Sequence, residues 1–250
     1  MPQPAPRVLI LQPLASDGPA FLASWLREAG VTFDVCSVEA GDAVPFAARP
    51  YSAVAMLGGT MSVNDDLPFL RSAEALLRDA IALERPVLGH CLGGQLLARV
   101  LGAATTDNPE PEIGWARIRR TDRPLARDWL GEAGELQVFE WHHQTFGLPA
   151  GAELLAGNAA CAHQAFGLGP HLGMQFHIEV DADKLARWIP EAPAPGDPLL
   201  DWPGVHDSLR MAADTAALLV ASQRRAAAIY ARWLALAAER SDSFRQPFVN

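Results

Sequence analysis

The sequence predicts an α/β protein built on a parallel, doubly wound sheet, with an antiparallel middle section and a helical C-terminal stretch. Three observations carry this. Strand and helix patterns alternate through residues 7–102, as crossover connections between parallel strands require. Short strand-like runs then follow one another between 115 and 178, separated by Gly, Pro and Asn. From about 181 the chain turns helical again, and 208–238 is rich in Ala and Leu with interspersed Arg.

Residues 7–12 (RVLILQ) read as a buried strand. Residues 18–29 place apolar side chains at helical spacing, and Gly30 is a stop signal. Strands are expected at 32–38 and 52–57, the latter running into Gly58-Gly59, with a helix over 67–84. A fourth strand, 86–90, passes at once into a helix that begins CLGGQLLARVLG. The runs at 115–119, 135–140, 152–156, 160–166 and 172–178 suggest a more antiparallel layer beside the parallel sheet. The segment EAPAPGDP at 191–198 reads as a Pro-rich loop, and 208–238 as an amphipathic helical stretch broken at most once. Its stripe comprises Leu209, Met211, Ala212, Ala216, Leu218, Leu219, Ala226, Tyr230, Trp233 and Leu234. The expectation is one domain over 1–250, with a catalytic core at about 7–180 and a helical extension at about 181–250.

Composition narrows the function. Half of the residues are hydrophobic and 20% are charged, which suits a packed core, and the net charge of -9 lacks the footprint of a nucleic-acid binder. Lys184 is the only lysine and sits in a plain charged stretch, DADKLARW, which argues against a phosphate loop or a Schiff-base lysine. Three cysteines, Cys36, Cys91 and Cys161, do not make a disulfide framework. The start, MPQPAPRVLIL, lacks a secretory signal, and no apolar run approaches the roughly 20 residues of a membrane span. A cytoplasmic location is expected.

Gly89-His90-Cys91-Leu92-Gly93-Gly94-Gln95 lies where a buried strand meets a helix. A nucleophile there sits on a tight turn that small neighbours permit. The helix N-terminus brings partial positive charge and free N–H groups, which favour thiolate and can stabilise an oxyanion. A lone Cys among apolar residues is ordinarily a small buried hydrophobe, and Cys36 and Cys161 are read that way. A cysteine nucleophile needs a histidine with an orienting partner. Of the seven histidines, His177 stands out in Gly-Met-Gln-Phe-His-Ile-Glu, residues 173–179. This reads as a strand, on which His177 and Glu179 share a face. The bland alternatives are a satisfied core histidine and a surface acid. His90 is read as structural. No His-Glu-x-x-His or paired-Cys spacing appears, so no metal or cofactor is expected.

Together these motifs resemble the class I, triad-type glutamine amidotransferases, with the amidotransferase domain of GMP synthase as nearest kin. The resemblance runs over roughly 7–180 and rests on segments in family order. They are Leu57-Gly58-Gly59, the cysteine turn, Glu112-Ile113-Gly114-Trp115, Trp141-His142, Gln164-Ala165-Phe166 and Gln175-Phe176-His177-Ile178-Glu179. It implies a three-layer, flavodoxin-like α/β fold with a mixed, mainly parallel central sheet and added C-terminal helices. It also implies hydrolysis of the γ-glutamyl amide of glutamine through a cysteine thioester. Cys91 would be nucleophile, His177 general base and acid, and Glu179 orienter. Backbone N–H groups of Gly59 and Leu92 would form the oxyanion hole, and Gly58, Gln95, His143 and Gln144 would contact substrate. This chain departs from the family at Ile178, where many members have proline, at Thr60-Met61-Ser62, and at His143-Gln144.

No ATP-binding or pyrophosphatase loop appears in the sequence. Either a separate synthetase subunit uses the ammonia, or water is the acceptor and the enzyme hydrolyses γ-glutamyl peptides or amines. A third reading, from another class, is a non-catalytic binding or regulatory subunit of the same fold. The expected partners are therefore a small γ-glutamyl substrate and either a synthetase or a second copy of the chain, with no nucleic acid and no membrane.

Overall fold

The computed structural model describes residues 6–243. Residues 1–5 of the segment MPQPAPRVLIL, and residues 244–250 of the expected extension, lie outside the described residues. No helix among the described residues is long and apolar enough to cross a membrane.

The first half follows the alternation. Strand β1 (Arg7–Gln12), helix α1 (Ala20–Glu28), β2 (Thr32–Ser37), β3 (Ala53–Met56), α2 (Pro68–Ala82), β4 (Val87–His90) and α3 (Leu92–Val100) succeed one another. Then come β5 (Thr105–Arg120), α4 (Pro124–Leu130), β6 (Glu135–Phe146), β7 (Glu153–Gly157), β8 (Ala165–Leu168) and β9 (His171–Met174). Helices α5 (Ala182–Trp188) and α6 (Ser208–Ser243) close the described chain, with short 3-10 turns between them at Ile189–Glu191 and Pro198–Asp201.

All nine strands lie in one sheet, in the order β2-β1-β3-β4-β9-β8-β7-β5-β6. The ladders from β2 through β9 are parallel, and those from β9 through β6 are antiparallel. The antiparallel strands therefore extend the parallel sheet edge to edge and do not form a layer beside it, because β9 pairs β4 on one side and β8 on the other. Strands β1, β3 and β4 are buried along nearly their whole length, as expected of parallel strands covered on both faces.

Several boundaries shift for local reasons. The run expected from 160 becomes strand only at Ala165, because Asn158 closes a turn: its N–H donates to Cys161 O at 2.9 Å and its Oδ1 accepts from Cys161 N at 2.7 Å. Strand β9 stops at Met174, short of the expected 178. Beyond it the chain swings to β6, and His177 N–H donates to Phe139 O at 2.8 Å. The alternation persists all the same. Met174, Phe176 and Ile178 enter the same hydrophobic core, and His177 and Glu179 project the other way. Helix α4 was not visible in the sequence, since PLARDWL is short and flanked by strand patterns.

Helix α6 is one unbroken helix of 36 residues. Its stripe of Ala226, Ile229, Tyr230, Trp233 and Ala237 enters the core that contains Val8, Ile10, Ala53 and Leu88 of the parallel strands. Trp233 Nε1 donates to Pro86 O at 3.1 Å, tying the helix to the start of β4. Three stripe positions expected to pack are exposed: Leu209, Ala212 and Ala216. The first turns pack through another side, where Met211 is buried with Leu218 and Leu219 against it and Thr215 accepts from Trp115 Nε1 at 2.9 Å. A chain ending at residue 200 should accordingly be insoluble or lose most of its thermal stability, because Tyr230 and Trp233 leave an open apolar face. Trp233→Ala alone should cost about 3–5 kcal/mol. Denaturant midpoints check both, and a soluble truncated chain with unchanged melting would refute the packing role.

Candidate active site

The carboxyl ends of β1, β3 and β4 and the segment after β9 open onto one cleft of about 860 Å³, where a ligand crevice of an open α/β sheet is expected. Cys91, Gly59, Gln95, His143, Gln144 and His177 line it.

Cys91 sits at the junction of β4 and α3 with φ 48° and ψ -110°, a left-handed conformation that is strained for a side chain with a Cβ. The turn needs Gly93, where a Cβ would run into the Met56 carbonyl of β3. Cys91 N–H donates to Met174 O at 2.9 Å, locking the turn to β9. The sulfur is almost fully buried and faces Gln175 Nε2 at 3.6 Å and Trp141 O at 3.7 Å. Leu92 is the first residue of α3, so its N–H has no intrahelical partner. Leu92 also adjoins Gly59, whose Cβ position would be 3.0 Å from Leu92 Cδ2.

His177 Nδ1 meets Glu179 Oε1 at 2.7 Å, with both side chains buried. Burial alone would disfavour the imidazolium. The Glu179 carboxylate and a hydrogen-bonding contact with Cys91 outweigh it and hold the His177 proton affinity well above the usual range. For Glu179 the balance is similar. Burial disfavours its charge, but Lys184, His177 and His90 keep it ionised well below the usual carboxylate range. His90 Nε2 is 3.8 Å from Glu179 Oε2, too far for a hydrogen bond, and burial lowers its proton affinity, in keeping with a structural histidine.

Lys184 overturns the reading of DADKLARW as a plain charged stretch. It is completely buried. Its ammonium donates to Glu179 Oε1 at 2.8 Å, to Gly18 O at 3.1 Å and to the Asp17 carboxylate, so its three protons have three acceptors. Its Nζ also lies 4.5 Å from the centre of the Trp188 ring, which stands edge-on to His177 at 5.0 Å. Sequence patterning missed Asp17, Lys184 and Trp188 as site residues. The one available signal was that the chain's single lysine follows Glu179 by five positions.

The remaining expected residues fall as follows. Gln95 donates its amide to Gln144 O at 3.1 Å and to Gln175 Oε1 at 3.3 Å, and His143 is exposed on the cleft wall. Gly58 does not line the cleft. It lies behind the imidazole, where a Cβ would strike the Asp17 carboxylate and stand 2.8 Å from His177 Cε1. Glu112 is a buried hub that accepts from Asn158 at 2.6 Å and from Gln164 at 2.7 Å and meets His142 Nε2 at 3.1 Å. His142 Nδ1 in turn reaches Gln144 O at 3.0 Å, so the hub fixes the peptide that also binds Gln95.

Two groups among the described residues bring three metal-ligating side chains together: Glu112, His142 and Cys161, and Asp17, His177 and Glu179. In the second the Lys184 ammonium already supplies the cation. In the first the ligand atoms are engaged with Asn158, Gln164 and Thr145.

Residues 20–188 match the family model for glutamine amidotransferase class-I. The chain belongs to this family. Among solved structures, it is similar to a glutamine amidotransferase from Methylobacillus flagellatus, with 40% identity, a TM-score of 0.88 and coverage of 93% of this chain and 96% of that one. It is 33% identical over 172 residues to the glutamine amidotransferase-like protein YfeJ of Salmonella typhimurium, covering 66% of this chain and 72% of YfeJ. It is also 35% identical over 188 residues to the glutamine-hydrolysing GMP synthase of Alkalilimnicola ehrlichii, covering 70% of this chain and 34% of that longer protein. The fold, with its mixed sheet and C-terminal helices, agrees with the Methylobacillus flagellatus structure and with that of a glutamine amidotransferase from Thermotoga maritima, at 28% identity, a TM-score of 0.81 and coverage of 92% of this chain and 99% of that one.

Proposed function

We propose that this protein hydrolyses the γ-glutamyl amide of glutamine, with Cys91 as nucleophile, His177 as general base and acid, and Glu179 as orienter. The observation that supports the reading is the buried His177–Glu179 hydrogen bond, with His177 and Cys91 lining one cleft. The Cys91 sulfur attacks the amide carbon, its proton passing to His177. The carbon–nitrogen bond breaks as His177 returns the proton to nitrogen, releasing ammonia. Water then attacks the thioester, with His177 taking its proton, and glutamate leaves as the thiol is restored. The backbone N–H groups of Gly59 and Leu92 bind the oxyanion, and Gln95 with the His143-Gln144 peptide holds the amino-acid end. A separate synthetase subunit is the ammonia acceptor on this reading.

One observation favours a second reading. The cleft is large for glutamine and is extended by Trp188, Arg187 and Glu191 on the His177 side, where the leaving nitrogen must lie. A γ-glutamyl peptide would place its amine portion there, with water as acceptor. Incubating the pure protein with glutamine and with γ-glutamyl peptides, and assaying glutamate release, separates the two. Turnover of glutamine alone is the result expected of the first, and preferential peptide cleavage of the second. Turnover of neither overturns both.

A further inference from the structure

The relay has a member beyond the orienting carboxylate. Glu179 Oε1 accepts from His177 on one side and from Lys184 on the other, so one oxygen bears both the imidazole and a buried ammonium. Lys184 in turn is shared with Asp17, which arrives on the loop after β1 and is itself almost fully buried. Asp17, Lys184 and Glu179 thus form a line of alternating charges, minus, plus, minus, ending on the imidazole. The ammonium has no spare proton for any other partner.

Resting on the proposed function, we infer that Lys184 is a positioning residue of the reaction and that Asp17 sets how much of its charge reaches Glu179. Lys184 fixes the carboxylate in the rotamer that faces His177 and offsets the cost of keeping it ionised in a dry site. Lys184 is itself held protonated: burial opposes its charge, and Asp17 and Glu179 together reverse that. The other polar groups facing Glu179 are His90 from β4, whose proton affinity burial lowers, and Tyr230 from α6, whose hydroxyl burial makes harder to ionise. Cys91 and the buried Glu140 of β6 also act on His177, and burial raises the proton affinity of the Glu140 carboxyl well above the usual range. Lys184 is therefore the permanent cation of the cluster.

The sign of each change follows. Removing a cation makes protons harder to lose from every neighbour, and removing an anion makes them easier to lose. Lys184→Met should move both limbs of the pH–rate profile to higher pH, by about one unit, with kcat lowered about 10- to 100-fold and KM little changed. Asp17→Asn should move both limbs the opposite way and still fold, since Lys184 keeps Glu179 as partner. The double variant restores the charge balance and should bring the profile back towards wild type. A role in folding alone would scale the rate and leave the limbs in place.

The deciding measurement is the pH dependence of Cys91 alkylation by iodoacetamide, read on the Cys91 peptide by mass spectrometry, in the wild type, Asp17→Asn, Lys184→Met and the double variant. It needs no γ-glutamyl turnover. Opposite shifts in the two single variants support the inference even if no amide substrate is cleaved, an outcome that would count against the proposed function alone. If Lys184→Met does not fold, the downward shift in Asp17→Asn decides. Unmoved profiles, or shifts of the same sign in both variants, would overturn the inference.

Discussion

Turnover of γ-glutamyl amides should fall by about three orders of magnitude or more when Cys91 becomes alanine. No other thiol can substitute. Burial pushes the Cys161 thiol up to about 12, and the Cys36 thiol is also raised by burial, so neither supplies a thiolate near neutral pH. Both lie away from the cleft wall. Cys36→Ser and Cys161→Ala should therefore leave kcat within a few-fold, whatever they do to stability. The fold should survive Cys91→Ala, because the turn is held by the Cys91 N–H to Met174 O bond and by Gly93 against Met56, and neither uses the sulfur. A γ-glutamyl-directed electrophile should label the wild type at Cys91 and leave the alanine variant unlabelled. Label persisting in that variant would move the nucleophile elsewhere.

The sequence exposed the parts of this site that depend on chain-local geometry. The strand-to-helix turn at Cys91 shows in its glycines because three backbone segments approach one another there, and only glycine fits. The side-by-side placement of His177 and Glu179 shows in their spacing, although the ladder that was expected to enforce it ends at Met174. What enforces it is the alternate burial of Phe176 and Ile178 together with the bridge to Phe139. Lys184 reads as part of a plain charged stretch because its neighbours Asp181, Asp183 and Arg187 are charged. Its burial depends on Asp17, 167 positions away in the chain, and no local pattern encodes such a pairing. The same limit hid the sheet's continuity. Whether β8 and β9 join the parallel strands or form a second layer depends on β9 inserting beside β4, a contact between segments more than 80 residues apart.

Glu179→Gln should keep the fold and lose about two to four orders of magnitude in kcat. The amide is nearly the same size and its oxygen can still accept from His177, so the ring keeps a partner. Asp17 remains to neutralise Lys184, so no cation is left buried alone. What disappears is the negative charge. Because that carboxylate is the chief group raising the His177 proton affinity against the cost of burial, its removal must lower it. The imidazolium that donates to the leaving nitrogen is then lost at lower pH, and the alkaline limb of the profile moves down. Substrate affinity should change little, because Glu179 lies behind His177 and does not line the cleft. The check is kcat, KM and both limbs measured on the best substrate, beside a melting curve. A variant that equals the wild type in kcat with an unmoved alkaline limb would mean that Glu179 does not act through the imidazole at all.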